Sequence, residues 1–261
     1  MAENKTFWEH LDELKTYIVR ILVVILVLAI AAFVFKEAIF SAVLAPQNAD
    51  FVTYRLLNFS KMFPSGDPFS VQIINTGLAE QFIIHMRVAF YVGLLCASPY
   101  MIYSLFRFVT PALYDRERHA AAKLVVSGYL LFIAGVVLCY FLIFPLTFRF
   151  LATYQVSESV RNLISLNSYI STMLTMTFVM GAVFEIPVLC SILGRMGLLS
   201  SELMKRYRRH AIVIIVLIGA IITPTGDPFT LTVVSLPMWL LYEAGIASVK
   251  RMERRRKTAD A

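Results

Sequence analysis

The sequence has 261 residues, of which 59% are apolar and only 16% are charged, and its mean hydropathy is +0.72. Soluble globular proteins are about 45–50% apolar and about 25% charged. Because most residues of a 29.5 kDa soluble domain must face water, this excess of apolar side chains excludes an ordinary soluble fold. The composition indicates an all-α integral membrane protein that crosses the bilayer several times.

The net charge of +7 does not indicate nucleic-acid binding, because no basic face with base-reading side chains accompanies it. The three cysteines lie apart within apolar runs, and their spacing fits neither a disulfide framework nor a metal site. The motifs of common hydrolases, metalloenzymes and nucleotide-binding proteins are missing from the sequence. We therefore predict no metal, no cofactor and no catalytic residues.

The chain contains six apolar segments. Their lengths are to be compared with the about 20 mostly apolar residues that a bilayer-spanning helix needs. The sequence predicts one membrane domain, residues 1–261, with an amphipathic helix at about 5–16 and a basic tail at 248–261. The spans are expected at about residues 17–40, 80–105, 122–146, 167–193, 209–223 and 228–246. The last two contain uncharged runs of only 12 and 14 residues around a turn-like segment, which predicts a short hairpin.

Basic residues alternate in number between the loops that six spans create. The N-terminal segment, the second and fourth loops and the C-terminal tail hold 18 of the 24 Lys and Arg residues. The positive-inside rule therefore places both termini in the cytoplasm. Prolines within spans, Pro99, Pro145 and Pro237, are expected to bend helices, which favours a concave bundle over a straight one.

An acidic stripe is predicted on the amphipathic helix before the first span. Its apolar residues recur at helical spacing on one side, and three carboxylates fall on the opposite side: Glu9, Asp12 and Glu13. The second loop adds Asp115 and Glu117 among arginines, on the same predicted face of the membrane. Each cluster fits the solvated surface of an ordinary membrane protein, and together they also fit a binding site for a cationic ligand.

Glu185 lies well inside the fourth predicted span, two residues before Pro187. An ionisable group near the bilayer centre costs on the order of 2.5–3.5 kcal/mol on insertion scales, and such groups usually face a bundle interior or a water-filled cavity. Glu185 is therefore predicted to be a functional intramembrane acid. The alternative function that this residue suggests is a secondary transporter in which Glu185 carries the coupling proton or ion.

The short hairpin predicts a docking edge for a partner helix. Its small and hydroxylated residues permit close approach or interhelical hydrogen bonds, and these are Gly219, Thr230, Thr232 and Ser235. The alternative is that the same residues only pack the two helices of the hairpin against each other.

Five segments, in order, resemble the twin-arginine protein translocase subunit TatC family. They are FWEHLDELK at 7–15, SPYMIYSLFRFVTPALYDRER at 98–118, Phe-Pro at 144–145, the FVMGAVFEIP segment at 178–187, and the hairpin motifs Thr-Pro at 223–224, Asp227, Pro237 and Leu-Tyr-Glu at 241–243. Each segment alone is a weak signal, and their order at a compatible topology makes the resemblance specific.

The resemblance implies a six-helix receptor in the bacterial inner membrane, shaped like a cupped hand. Its ligands would be signal peptides with consecutive arginines on folded cargo proteins, and its partners would be the single-span subunits TatA and TatB and further copies of itself. Glu13 and Glu117 match the family's signal-peptide carboxylates, and Glu185 matches its intramembrane acid. Because a guanidinium fork fits a carboxylate bidentately, two arginines require carboxylates from two neighbouring elements.

Overall fold

The structure, a computed structural model, describes residues 7–56, 71–109, 118–157, 162–195, 197–223 and 226–259. These residues are almost entirely helical, which confirms the all-α prediction. Within the described ranges the only strands are two short ones, β1 (Ile73–Ile74) and β2 (Ile164–Ser165), which pair in parallel.

The helices follow the predicted order. They are α1 (Phe7–Val34), α2 (Lys36–Val43), α3 (Val52–Leu56), α4 (Glu80–Val109), α5 (Arg118–Leu138), α6 (Phe144–Thr153), α7 (Leu166–Val183), α8 (Ile186–Arg195), α9 (Ser201–Arg206), α10 (Arg208–Ile222) and α11 (Pro228–Ala259). A π-helical turn, Cys139–Ile143, joins α5 to α6, and a 3₁₀ turn, Ala45–Gln47, follows α2.

In the part of the chain that the structure describes, five helical segments are long and apolar enough to cross a membrane, so the chain is a polytopic membrane protein. They are Asp12–Val34, Glu80–Leu105, Val125–Thr153, Leu166–Arg195 and Pro228–Arg254. Helix α10, the first helix of the predicted hairpin, has 15 residues and is shorter than these. Its partner α11 has 32 residues, because it continues through Glu243 and through most of the predicted tail.

The described residues form two compact units, one within Met1–Phe40 and Leu78–Tyr129, the other within Ser41–Gly77 and Leu130–Ala261. In the first unit α1 lies against α4. A Cβ on Gly93 would come within 2.6 Å of the backbone nitrogen of Ala29, so only glycine permits this close helix contact. Four residues further along α1, the ring of Phe33 stacks on His85 with 3.9 Å between ring centroids.

The second unit is organised around the irregular turn before Pro145. Proline has no N–H, so the carbonyl four residues earlier, that of Phe141, loses its helical donor. The hydroxyl of Thr53 on α3 donates to this carbonyl oxygen. The Tyr54 hydroxyl lies 2.9 Å from the Pro46 carbonyl oxygen and 3.2 Å from that of Pro145. Burial raises the pKa of Tyr54, against the opposing effect of nearby Arg149, so the hydroxyl stays a donor at neutral pH.

Two further tyrosines hold the end of α2. The last carbonyl groups of a helix have no partner within the helix. The Tyr140 hydroxyl donates to the Ala42 oxygen at 2.6 Å, and the Tyr169 hydroxyl donates to the Val43 oxygen at 3.0 Å. These bonds and those of Thr53 and Tyr54 fix residues 42–54, which lie between the first and second spans, onto the third and fourth spans.

The third and fourth spans meet at small residues as well. A Cβ on Gly135 would lie 2.7 Å from the Met180 carbonyl oxygen, so α5 and α7 touch at backbone distance. The fourth span then packs on the last helix, where the hydroxyls of Ser191 and Ser248 lie 2.7 Å apart. Asp227 begins α11 by accepting a hydrogen bond from the Thr230 amide at 2.7 Å, and Pro228 occupies the first helical position.

Candidate recognition and docking sites

The predicted acidic stripe lies on the first turns of α1. Asp12 is exposed and Glu13 is partly buried with a polar or charged contact of its own. Glu9 lies on the same helix, one turn before Glu13, and only its backbone is described. Glu117 and Asp115 lie outside the described residues. The α1 carboxylates are thus presented from a regular helix.

The start of α1 contacts the end of α4. The rings of Tyr17 and Phe108 meet edge to face, with 6.4 Å between their centroids. Tyr17 follows Glu13 by one helical turn, and Phe108 lies nine residues before Glu117 in the sequence. The start of α1, which carries Glu13, therefore contacts the end of α4 within one compact unit, and Glu117 follows α4 outside the described residues.

Glu185 lies where the fourth span is broken. Pro187 removes the donor for the Val183 carbonyl, and α7 ends at Val183 while α8 begins at Ile186. The amides of Val188 and Leu189 donate to the Glu185 backbone oxygen at 3.0 and 2.9 Å. Among the described residues, none donates a hydrogen bond to the buried side-chain Oε1. A carboxylic group with an unused acceptor inside a span is available to a donor from elsewhere.

The four residues of the hairpin that are predicted to form a docking edge have different surroundings. A Cβ on Gly219 would lie 2.9 Å from the Ser235 hydroxyl, so Gly219 and Ser235 face each other inside the hairpin. Thr230 is fully buried, whereas Thr232 is exposed and its hydroxyl donates to the Pro228 oxygen at 2.7 Å. For Gly219, Thr230 and Ser235 these contacts favour the alternative of internal packing, and Thr232 remains available to a partner.

A different face of the hairpin is open. Val213, Leu217 and Ile221 repeat every four residues along α10 and are 67%, 60% and 76% exposed. Beside the end of this face lies a groove of about 310 Å³ rich in hydroxyl groups. Its lining residues are Ser165, Asn167, Ser168, Ser171, Thr172, Thr175, Ile221 and Ile222. Sequence reasoning missed the groove because its walls come from α7 and α10, which are distant in the chain.

An ion pair that the sequence pattern does not predict joins the two helices of the hairpin at the end opposite its turn. Arg208 Nη2 donates to Glu243 Oε2 at 2.9 Å, and Arg208 Nε lies 2.7 Å from Glu243 Oε1. Position is the signal that points to this pair, because Glu243 directly follows the second uncharged run of the hairpin and Arg208 lies three residues before the first. The pair sets the first turn of α10 level with the middle of α11.

Comparisons with known proteins agree on one family. The family model described as "TatC: Sec-independent protein translocase protein (TatC)" matches residues 9–237. The chain is 33% identical to the protein of that name from Blattabacterium sp. subsp. Periplaneta americana (strain BPLAN), over 92% of this chain and 93% of that protein. It is 31% identical to the one from Escherichia coli (strain K12), over 91% and 85%.

A solved structure is also similar. "Crystal Structure of Twin Arginine Translocase Receptor- TatC" superposes with a TM-score of 0.75 at 30% sequence identity, covering 93% of this chain and 98% of that one. Among curated proteins, that of Aquifex aeolicus (strain VF5) is 30% identical over 95% of this chain and 96% of its own length. The similarity extends over nearly the whole chain in sequence and in fold.

Proposed function

Because the chain belongs to the TatC family of Sec-independent protein translocase proteins, we propose that it binds signal peptides with consecutive arginines and assembles the translocase around them. The family is a translocase component, so the chain is a transport protein and not an enzyme. Nothing in the comparisons supports the alternative of a proton- or ion-coupled transporter.

The observation that carries the proposed peptide site is the contact between Tyr17 and Phe108. It brings the helix with Glu13 close to the end of α4, from which the chain continues to Glu117. One carboxylate from each element suits two neighbouring guanidinium groups, each of which accommodates a bidentate carboxylate. Glu9 and Asp12 supply further negative charge on the same helix and would attract the cationic segment before it docks.

The proposed partners are single-span subunits of the TatA and TatB type, together with further copies of this chain. We place a single-span partner on the open face of α10, where Val213, Leu217 and Ile221 are exposed, with Thr232 nearby on the hairpin as a polar contact. Glu185 is proposed as the acid inside the membrane that meets a donor from cargo or partner. The charge distribution supports an inner-membrane location with both termini cytoplasmic.

A crosslinking experiment tests the proposed function. The purified chain in nanodiscs receives a signal peptide with two consecutive arginines and a photoreactive residue, and a peptide with two lysines at the same positions is the control. We expect the arginine peptide to crosslink several-fold more strongly, because lysine lacks the planar fork that engages a carboxylate bidentately. Equal yields from the two peptides would rule out the proposed recognition.

A further inference from the structure

Helix α9, between the fourth and fifth spans, is fixed to the last turns of α11. The amide of Ser201 donates to Glu253 Oε1 at 2.8 Å, and its hydroxyl donates to Oε2 at 2.5 Å. The Tyr242 hydroxyl donates to the Met204 backbone oxygen at 2.8 Å. An apolar cluster lies beneath these bonds, formed by Cys190, Met204, Ile246 and Val249. The loop and the end of the last helix therefore form one continuous surface.

This surface is strongly basic. Residues 195–209 and 243–254 contain eight Lys and Arg side chains and three Glu side chains. Two of those carboxylates are engaged within the unit, Glu243 by Arg208 and Glu253 by Ser201. We call the exposed basic residues of the two segments, other than Arg208 in its ion pair with Glu243, the basic platform, which consists of Lys205, Arg206, Arg209, Lys250, Arg251 and Arg254.

Exposed apolar side chains lie among the residues of the basic platform. Leu198 is 67% exposed, Tyr207 is 49% exposed and Leu203 is 44% exposed, all on the same loop and helix. Exposed apolar residues interleaved with basic ones are typical of segments that lie at a membrane–water interface. An anionic membrane surface matches both features, because it offers phosphate groups to the basic side chains and acyl chains to the apolar ones.

The position of the platform relative to the spans also points to lipid. Helix α8 ends at Arg195 and α10 begins at Arg208, so the fourth and fifth spans meet the platform at their ends. On α11 the buried Val249 is followed directly by Lys250 and Arg251. All three spans thus become basic towards the same end of the unit, which is where we expect lipid headgroups to lie.

We propose that the basic platform binds the phosphate groups of anionic phospholipids in the adjacent leaflet. Guanidinium groups engage phosphate oxygens in pairs, and clusters of four to eight basic residues next to a membrane helix attract anionic lipids. The proposal is independent of signal-peptide recognition, because the platform belongs to the compact unit that does not contain Glu13 or Glu117. It depends on α9 being held against α11 and not on the number of positive charges alone.

Lipid retention by the purified chain tests the proposal. The protein is reconstituted with equal amounts of phosphatidylglycerol and phosphatidylcholine, re-extracted in mild detergent, and its bound lipids are counted by mass spectrometry. We expect wild type to retain phosphatidylglycerol about threefold or more over phosphatidylcholine. The K250Q/R251Q/R254Q variant should lose most of this preference, and the matched K36Q/R55Q/K61Q variant, which loses the same charge elsewhere, should keep it.

A second variant distinguishes lipid binding that requires α9 to be held against α11 from lipid binding that depends on positive charge alone. E253A makes the chain more positive and removes the acceptor that holds Ser201, so we expect a lower preference for phosphatidylglycerol than in wild type. Circular dichroism and thermal unfolding confirm that each variant is folded. An unchanged or higher preference in E253A, an unchanged preference in the K250Q/R251Q/R254Q variant, or equal retention of both lipids by wild type would each overturn the proposal.

Discussion

At the scale of single residues, the carboxylates of α1 are the most direct test of recognition. Glu13→Gln removes the negative charge and keeps the size of the side chain. A hydrogen bond between charged groups is worth about 1.5–3 kcal/mol, which corresponds to a loss of about tenfold or more in peptide affinity. We expect Glu117→Gln to cause a similar loss and the double variant to bind more weakly than either. Titration of a labelled twin-arginine peptide into nanodiscs measures the affinity.

Glu202→Gln is the matched control for that pair, because it removes an exposed carboxylate from α9 and lies in the other compact unit. Its peptide affinity should equal that of wild type. The proposed site is wrong if the Glu13/Glu117 double variant binds as tightly as the Glu202→Gln protein does.

Glu185 allows a second residue-scale prediction. Gln keeps the volume and a hydrogen-bonding group at the break in the fourth span, whereas Ala removes both and leaves a cavity. We therefore expect Glu185→Gln to retain more export than Glu185→Ala, measured with a folded reporter that carries a twin-arginine signal peptide. Export that persists in the Ala variant and is abolished in the Gln variant would contradict a hydrogen-bonding role.

At the scale of elements, residues 42–54 are attached to the third span where Pro145 disrupts it. Thr53→Val removes the donor for the Phe141 carbonyl and should lower the free energy of unfolding by about 0.5–1.5 kcal/mol. If Pro145 creates the need for that donor, the cost should shrink in a Pro145→Ala background, where the helix regains an amide. Thermal unfolding in detergent of the four proteins of this cycle gives the coupling.

Thr153→Val is the control for Thr53→Val. Among the described residues, the Thr153 hydroxyl bonds to carbonyl oxygens of its own helix, those of Arg149 at 2.8 Å and Phe150 at 3.3 Å. This substitution should change stability less than Thr53→Val does. Additive costs for Thr53→Val and Pro145→Ala would show that the threonine does not replace the donor lost at the proline.

The open face of α10 gives a prediction for the partner. Cysteines at Val213 and Leu217 should form disulfide crosslinks with a cysteine in the membrane helix of a TatA or TatB type subunit. Ile215→Cys is the matched control, because Ile215 lies on the same helix and is only 8% exposed. Stronger crosslinks from Val27 on α1, which is 59% exposed, with none from α10, would move the docking edge to the first span.

The helices were predictable from the sequence, and most of their contacts were not. Each segment predicted to span the membrane falls on a helix of the structure, with ends that differ by up to eight residues, and the position of Glu185 in an apolar run is sufficient to single it out. The partner of the Phe141 carbonyl is Thr53, 88 residues away, and the partner of Glu243 is Arg208, 35 residues away. Local patterns carry no information about such pairs, because they depend on which helices become neighbours. For the same reason the sequence pattern predicts Gly219 and Ser235 at a docking edge, whereas in the structure these two residues face each other.

At the scale of the whole molecule, the number of crossings depends on α10. Fifteen residues give about 22 Å of helix, against a hydrocarbon core of about 30 Å. Its contacts nevertheless run alongside α11, from the Arg208–Glu243 ion pair to the meeting of Gly219 with Ser235 and Leu231. We therefore predict that α10 crosses the bilayer together with α11, and we expect the bilayer to thin locally to match its length.

Labelling of single cysteines decides the crossing and completes the topology. In a background without Cys96, Cys139 and Cys190, an impermeant thiol reagent applied to intact cells should miss cysteines at Asp115, Glu202 and Thr258 and should label those at Asp67 and Glu158. If α10 crosses the bilayer, Glu202 and Thr258 lie on one side, because α10 and α11 each cross once between them. If α10 does not cross, the single passage of α11 puts them on opposite sides. Labelling of the cysteine at Thr258 but not of that at Glu202 would therefore leave five crossings and a C-terminus outside the cell. Protection of both cysteines supports six crossings, in agreement with the excess of Lys and Arg in the segments predicted to be cytoplasmic.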